Sequence, residues 1–209
     1  MNFIRNIKVK LFMNEKLNYS IECLKLVTDV FDNHNIPYWL EYGTLLGSYR
    51  DSMLISYDYD MDIGVETKYA KDIKVLLESM ISEGKFQKLP LAKWIDNKIY
   101  QIQFNKNNNI EALWLDVYFY ETKDNFVYSN FLSVNDTLKC KTNRYQIQNL
   151  ETIKLGNYYF KCPSDIPKYL KIRYGDDYMI PQHRCEELNK EWHQIDDNVG
   201  NQYLDLSIK

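Results

Sequence analysis

Residues 38–66 read YWLEYGTLLGSYRDSMLISYDYDMDIGVE, and the division of that stretch into strand, turn and helix decides the fold. Its last third places Asp58, Asp60 and Asp62 at every second position, and Asp60-Met61-Asp62-Ile63 alternates acid with apolar side chain. Residues two apart in a strand share a face. The alternation therefore predicts a strand over 60–65 that turns Asp60 and Asp62 to one side and packs Met61 and Ile63 into a core. Side-by-side carboxylates repel, and a hard divalent cation with oxygen ligands neutralises such a pair, so Asp60 and Asp62 are candidate Mg²⁺ ligands. A solvated strand face would show the same alternation, and the residues upstream argue against it. Gly43-Thr44-Leu45-Leu46-Gly47-Ser48 reads as a tight turn into a short helix, with Thr44 or Ser48 near the helix start. Backbone amides at such a turn can hold a phosphate, and Gly47 permits close approach. Thr44 and Ser48 add hydroxyls, and Arg50 adds a guanidinium suited to bidentate phosphate contact. Asp58 is read as facing substrate or supporting the ligands.

Outward from this stretch, helix and strand patterns interleave. Leu17, Ile21, Leu24, Thr28 and Phe31 recur at helical spacing and predict a helix over 15–33. A short strand follows at 38–40. Tyr69, Ile73, Leu76 and Met80 predict a second helix that stops at Gly84. Strands are expected at 86–89, 98–104, 112–119 and 126–128, with an exposed turn at 105–109. Residues 129–150 carry little periodicity and read as a loop with a broken helix. Gly156-Asn157 suits the turn of a hairpin over 152–162. Pro163-Ser164-Asp165 caps a helix to Tyr174, where Lys168, Lys171 and Arg173 read as a solvated face, and a last polar helix is expected at 186–195. The class is α+β, a mixed sheet flanked by helices.

The 209 residues suit one domain, and 45% hydrophobic with 15% aromatic residues suffices for a core. A formal net charge of −3 gives no electrostatic case for nucleic acid or an anionic membrane. Cys23, Cys140, Cys162 and Cys185 form no CxxC pair, which argues against structural zinc and for a reducing compartment. The N-terminal residues lack the apolar run of a signal peptide, and no stretch approaches the roughly 18 apolar residues of a membrane span. A cytoplasmic location follows, with peripheral membrane association as the alternative.

The combination Leu46-Gly47-Ser48, a spacer and Asp60-Met61-Asp62-Ile63 resembles the nucleotidyltransferase superfamily, the fold of DNA polymerase β. WLEYGTLLGSYR followed by YDYDMDIG is similar to the LicD phosphocholine-transferase family, which includes the fukutin and fukutin-related proteins. Gly43, Thr44, Leu45, Leu46, Gly47, Arg50, Tyr57, Asp58, Asp60 and Asp62 occupy the family's positions. Trp114-Leu115-Asp116-Val117 resembles the later strand that brings a third acid to the metal site, and YLKIRYGDDYMIP resembles the closing helix. Asp-Tyr-Asp at 58–60 looks more like the fukutin-related branch than the phosphocholine branch. The resemblance implies one LicD-like domain over 1–209, with a catalytic core at about 36–120 and a helical part at about 163–209.

What the resemblance implies about function is specific. Asp60, Asp62 and Asp116 would hold Mg²⁺, with Mn²⁺ as an alternative, and would be the catalytic residues. Thr44, Gly47, Ser48, Arg50 and Asp58 would bind substrate. The enzyme would move a phospho-substituted group, of phosphocholine or phospho-alditol type, from a CDP-linked donor to a hydroxyl of a glycan or glycolipid acceptor. Two other readings share the same residues: transfer of a nucleoside monophosphate to a small molecule or protein, and a catalytically silent carbohydrate- or nucleotide-binding module.

Overall fold

The computed structural model describes residues 2–84, 86–87, 99–104, 107, 109–129 and 140–181. The chain opens on α1 (Asn2–Asn33), longer at its start than the apolar stripe predicts. No glycine or proline interrupts residues 2–33, so nothing breaks the helix ahead of that stripe. Leu17, Ile21, Leu24, Thr28 and Phe31 are all buried, as the periodicity requires. Burying each large apolar member contributes about 1.5–3 kcal/mol.

β1 (Tyr38–Leu40) leads into α2 (Tyr42–Asp51), and β2 (Asp60–Glu66) follows. A short 3₁₀ turn then enters α3 (Ala70–Ser82), which buries Ile73, Leu77 and Met80 and is followed by Gly84 at φ +77°. The strands β3 (Phe86–Gln87), β4 (Ile99–Phe104), β5 (Trp114–Lys123), β6 (Phe126–Ser129) and β7 (Cys140–Asn143) complete the sheet. After them come α4 (Arg144–Gln148), the hairpin β8 (Glu151–Leu155) and β9 (Tyr158–Cys162), and α5 (Ile166–Tyr174). The expected loop at 129–150 therefore contains a strand and a helical turn. Residues 140–143 (CKTN) carry no apolar alternation that would mark a strand, and β7 pairs antiparallel with β6. Asn143 caps α4 by accepting from the Tyr145 N–H at 2.9 Å. The helix expected at 186–195 lies outside the described residues.

The sheet is mixed. Its order is β1-β2-β5-β4-β3, with β6 on β5 and β7 on β6. β2 and β5 run parallel, and the other pairings are antiparallel. The expected α+β class with helices flanking a mixed sheet is what the chain forms. Met61, Ile63, Val65, Leu115 and Val117 are fully buried on one face of the central pair, and Phe31 of α1 meets the Tyr38 ring edge-on at 6.3 Å. The opposite face carries Asp60 and Asp62 beside Trp114 and Asp116. Among the described residues no helix is long and apolar enough to cross a membrane.

One hydroxyl fastens α1 to the sheet. Ser20 is fully buried; its Oγ donates to the Lys16 carbonyl at 2.8 Å and accepts from the Leu113 N–H at 2.8 Å. Leu113 precedes the strand that carries Asp116. Ser20→Ala would leave that buried N–H unpaired, so urea unfolding should show a loss of about 1–3 kcal/mol.

Candidate metal centre

Parallel pairing of β2 with β5 aligns Asp62 with Asp116 and Asp60 with Trp114. Because paired residues in register point to the same side, Asp60, Asp62 and Asp116 converge on one face. One carboxylate oxygen from each lies within 4.8 Å of the others. Asp62 and Asp116 are each 5% exposed, whereas Asp60 is half-buried at the strand entrance. Gln101, opposite Asp116 on β4, donates to Asp116 Oδ2 at 3.1 Å. Asp116 Oδ1 is buried with no hydrogen-bond partner.

Burial dominates the electrostatics. Desolvation, followed by the charges of Asp60 and Asp116, pushes the Asp62 carboxyl well above its usual range. Desolvation and Asp60 push Asp116 up to about 7, against a lowering contribution from Gln101. Three carboxylates this close, two of them dry and one with an oxygen left over, form a site that a proton or a hard cation must satisfy. The donor set is all oxygen and anionic, which suits a hard divalent cation.

The residues upstream are placed differently from their reading as a turn. Gly43 through Ser48 lie inside α2, which Glu41 caps. The amides of Gly47 and Ser48 sit in the second turn of that helix, where N–H groups are spent on carbonyls four residues earlier, so they do not cradle a phosphate. Leu-Leu between the glycines tips the balance towards helix. Gly47 serves packing instead: a Cβ there would come within 2.6 Å of the Met53 carbonyl. Ser48 Oγ donates to the Lys154 carbonyl at 2.9 Å and ties α2 to the β8–β9 hairpin. Thr44 Oγ1 accepts from the Asp62 N–H at 2.8 Å and so fixes the ligand strand.

Gly43 is the glycine that meets the acids. A Cβ there would lie 2.3 Å from Asp58 Oδ2 and 4.0 Å from Asp62 Oδ2. Asp58 is thereby seated at the start of α2, next to the triad. Gly43→Ala should displace the Asp58 carboxylate and lower turnover roughly tenfold, while an alanine in the first turn of the helix keeps or raises the melting temperature. Steady-state rates and a thermal melt of the same preparation check both halves. Arg50 stands in the last turn of α2, seven residues on and therefore on the Gly43 face, roughly 10 Å along the axis. Its side chain is 8% exposed, its Nε is 3.9 Å from Asp51 Oδ2, and that Nε has no hydrogen-bond partner.

Sequence reasoning missed a second, buried layer. Glu41 is fully buried and accepts from Trp39 Nε1 at 2.6 Å and from the Tyr169 hydroxyl at 2.5 Å. Arg173 Nε lies 3.2 Å from Glu41 Oε1, an ion pair by distance although the N–H is not aligned on the oxygen. Arg173 is thus no part of a solvated face, whereas Lys168 is exposed and Lys171 pairs with Asp176 at the surface. The signal was Glu41 itself, a lone acid flanked by Leu40 and Tyr42 at the end of an apolar strand.

A model of the LicD/FKTN/FKRP nucleotidyltransferase domain matches residues 35–165 of this chain. The chain belongs to that family. The mouse ribitol 5-phosphate transferase FKRP is 23% identical over 159 residues, 74% of this chain and 31% of its own length. The human ribitol-5-phosphate transferase FKTN is 23% identical over 163 residues, 77% of this chain and 33% of its own. The chain thus spans about a third of the length of these LicD-family relatives. Among solved structures, the lincosamide antibiotic adenylyltransferase LnuA superposes with a TM-score of 0.42 at 12% identity, covering 86% of this chain and 95% of that one.

Proposed function

We propose that this LicD-family domain transfers a phospho-alditol or related substituted phosphate from a CDP-linked donor to a hydroxyl of a glycan or glycolipid. The observation that carries the reading is the convergence of Asp60, Asp62 and Asp116 on one sheet face, with Asp116 Oδ1 left without a partner. The fukutin-type names of the relatives support an alditol phosphate over phosphocholine.

Asp60 and Asp62 would hold the divalent cation, Mg²⁺ or Mn²⁺, with Asp116 closing the set. When bound, the cation neutralises charge on the donor diphosphate. The acceptor oxygen attacks the phosphorus that bears the transferred group. The bond from that phosphorus to the bridging oxygen breaks, and CMP leaves with that oxygen. The hydroxyl proton passes to a carboxylate, and Asp116, whose buried Oδ1 has no hydrogen-bond partner, would be the group that accepts it. Arg50 offers an incompletely paired guanidinium to phosphate. Asp58, whose carboxylate lies against Gly43 beside Asp62, would face the substrate. Such transfer depends on positioning and charge neutralisation more than on covalent catalysis.

Incubation with CDP-ribitol, CDP-glycerol and CDP-choline in Mg²⁺ or Mn²⁺, with CMP release followed against time, tests the reading. CMP is expected from at least one donor, suppressed by EDTA. Pyrophosphate release from a nucleoside triphosphate, with no CMP from any donor, would replace it with nucleotidyl transfer.

A further inference from the structure

Asp62 is held by its main chain from both sides. Its N–H donates to Thr44 Oγ1 at 2.8 Å, and its carbonyl accepts from the Glu41 N–H at 3.0 Å. Glu41 is also the N-cap of α2, whose next residue, Tyr42, adopts φ +41°, a left-handed conformation rare for an aromatic residue. Such strain persists where the surroundings over-determine it. The Tyr42 ring stands edge-on to Tyr118 at 4.9 Å, its hydroxyl is 3.4 Å from that of Tyr120, and the Arg173 guanidinium lies 5.3 Å from its ring centre. Thus residues 41 and 42 set both the ligand strand and the first turn of α2.

What holds residue 41 comes from the far end of the chain. Tyr169 and Arg173 of α5 reach Glu41, and Arg173 also donates to the Tyr169 hydroxyl at 2.9 Å and the Tyr120 hydroxyl at 3.4 Å. Both lie beyond residue 165, where the family match ends. Arg173 and Glu41 are 4% and 0% exposed. A buried ion pair gains little stability over apolar residues of the same volume, because desolvation offsets the attraction. Its contribution is directional: a carboxylate gripped by an indole N–H, a phenol and a guanidinium can take one orientation.

We propose that the Glu41–Arg173 pair is a positioning device for the metal centre, in which α5 orients Glu41 and Glu41 fixes Asp62. This rests on the metal reading of the acidic triad and not on the identity of the transferred group. Groups bonded directly to metal ligands typically alter metal affinity 10–100-fold when removed, and Arg173 and Tyr169 act one step further out, through Glu41, so a smaller factor is expected.

The test is a calorimetric titration of the whole chain with Mn²⁺ alone. Arg173→Met should weaken Mn²⁺ binding by roughly three- to tenfold, below the range for a direct partner of a ligand, Tyr169→Phe should weaken it by a smaller factor, and Arg173→Lys should restore part of the loss. Lys171→Met, on the same helix but paired at the surface, should bind like wild type. Circular dichroism melts establish which variants fold; if Arg173→Met does not, Tyr169→Phe, which removes a single hydroxyl, decides. Wild-type Mn²⁺ affinity in a folded Arg173→Met or Tyr169→Phe protein would overturn the proposal. A wild-type chain that binds no Mn²⁺ would overturn it together with the metal reading. Mn²⁺ binding that falls in the variants, without CMP release from any donor, would uphold the device and remove only the transferase assignment.

Discussion

Asp62→Ala is expected to lower metal-dependent turnover by roughly 10³-fold or more while the fold stays intact. The expectation follows from position. Asp62 is the buried central member of the triad, paired in register with Asp116. Its main chain, not its carboxylate, makes the contacts that join β2 to Thr44 and Glu41. Alanine keeps those backbone bonds and removes the ligand oxygens. It also removes a desolvated carboxylate crowded by Asp60 and Asp116, so the metal-free variant should melt no lower than wild type. Asp60→Ala should behave alike, with a smaller stability change because Asp60 is half-buried. Near-full activity in either variant, with Mg²⁺ present, would remove these residues from the chemistry.

The second large effect has opposite signs for stability and activity. Asp116→Asn should raise the melting temperature of the EDTA-treated protein by about 5 °C at pH 8 and abolish turnover. In the folded metal-free protein Asp116 releases its proton at about pH 7, against 3.8 for the ordinary group. Between those values the folded state binds the proton and the unfolded chain does not, so stability falls as pH rises from about 4 to 7. Asparagine cannot ionise and still accepts from Gln101, so it abolishes this component of the decline. Asp62, shifted in the same direction, leaves a residual slope. Saturating Mg²⁺ should reverse the ranking, because binding stabilises the wild-type protein and not the variant. Melts at several pH values, with EDTA and with Mg²⁺, read all of this.

The central strand and its acids were legible because strand periodicity is short and strict: Asp60, Met61, Asp62 and Ile63 could take one arrangement, and β2 has it. Asp116 was legible from its apolar neighbours, since an acid between Leu115 and Val117 needs a partner. The helix of 42–51 was misjudged because two glycines outweighed Thr44-Leu45-Leu46 in the reading. Those glycines answer to tertiary contacts, Asp58 for one and Met53 for the other, and a local pattern does not contain them. Arg173 was misplaced for the same reason: its partner is 132 positions away, and the helical spacing of α5 does not point to Glu41. Gln101 could have been suspected from β4, where it alternates with buried Tyr100 and Ile102, but its target lies on another strand.

Crystals of the protein grown with Mn²⁺ and CDP would locate the cation through the anomalous signal of the metal. A peak is expected among the carboxylates of Asp60, Asp62 and Asp116, with the diphosphate of CDP coordinated to it, and no such peak in Asp62→Ala. A Mn²⁺ peak elsewhere, or CDP bound with the three carboxylates left without metal, would contradict the assignment of the metal to this triad.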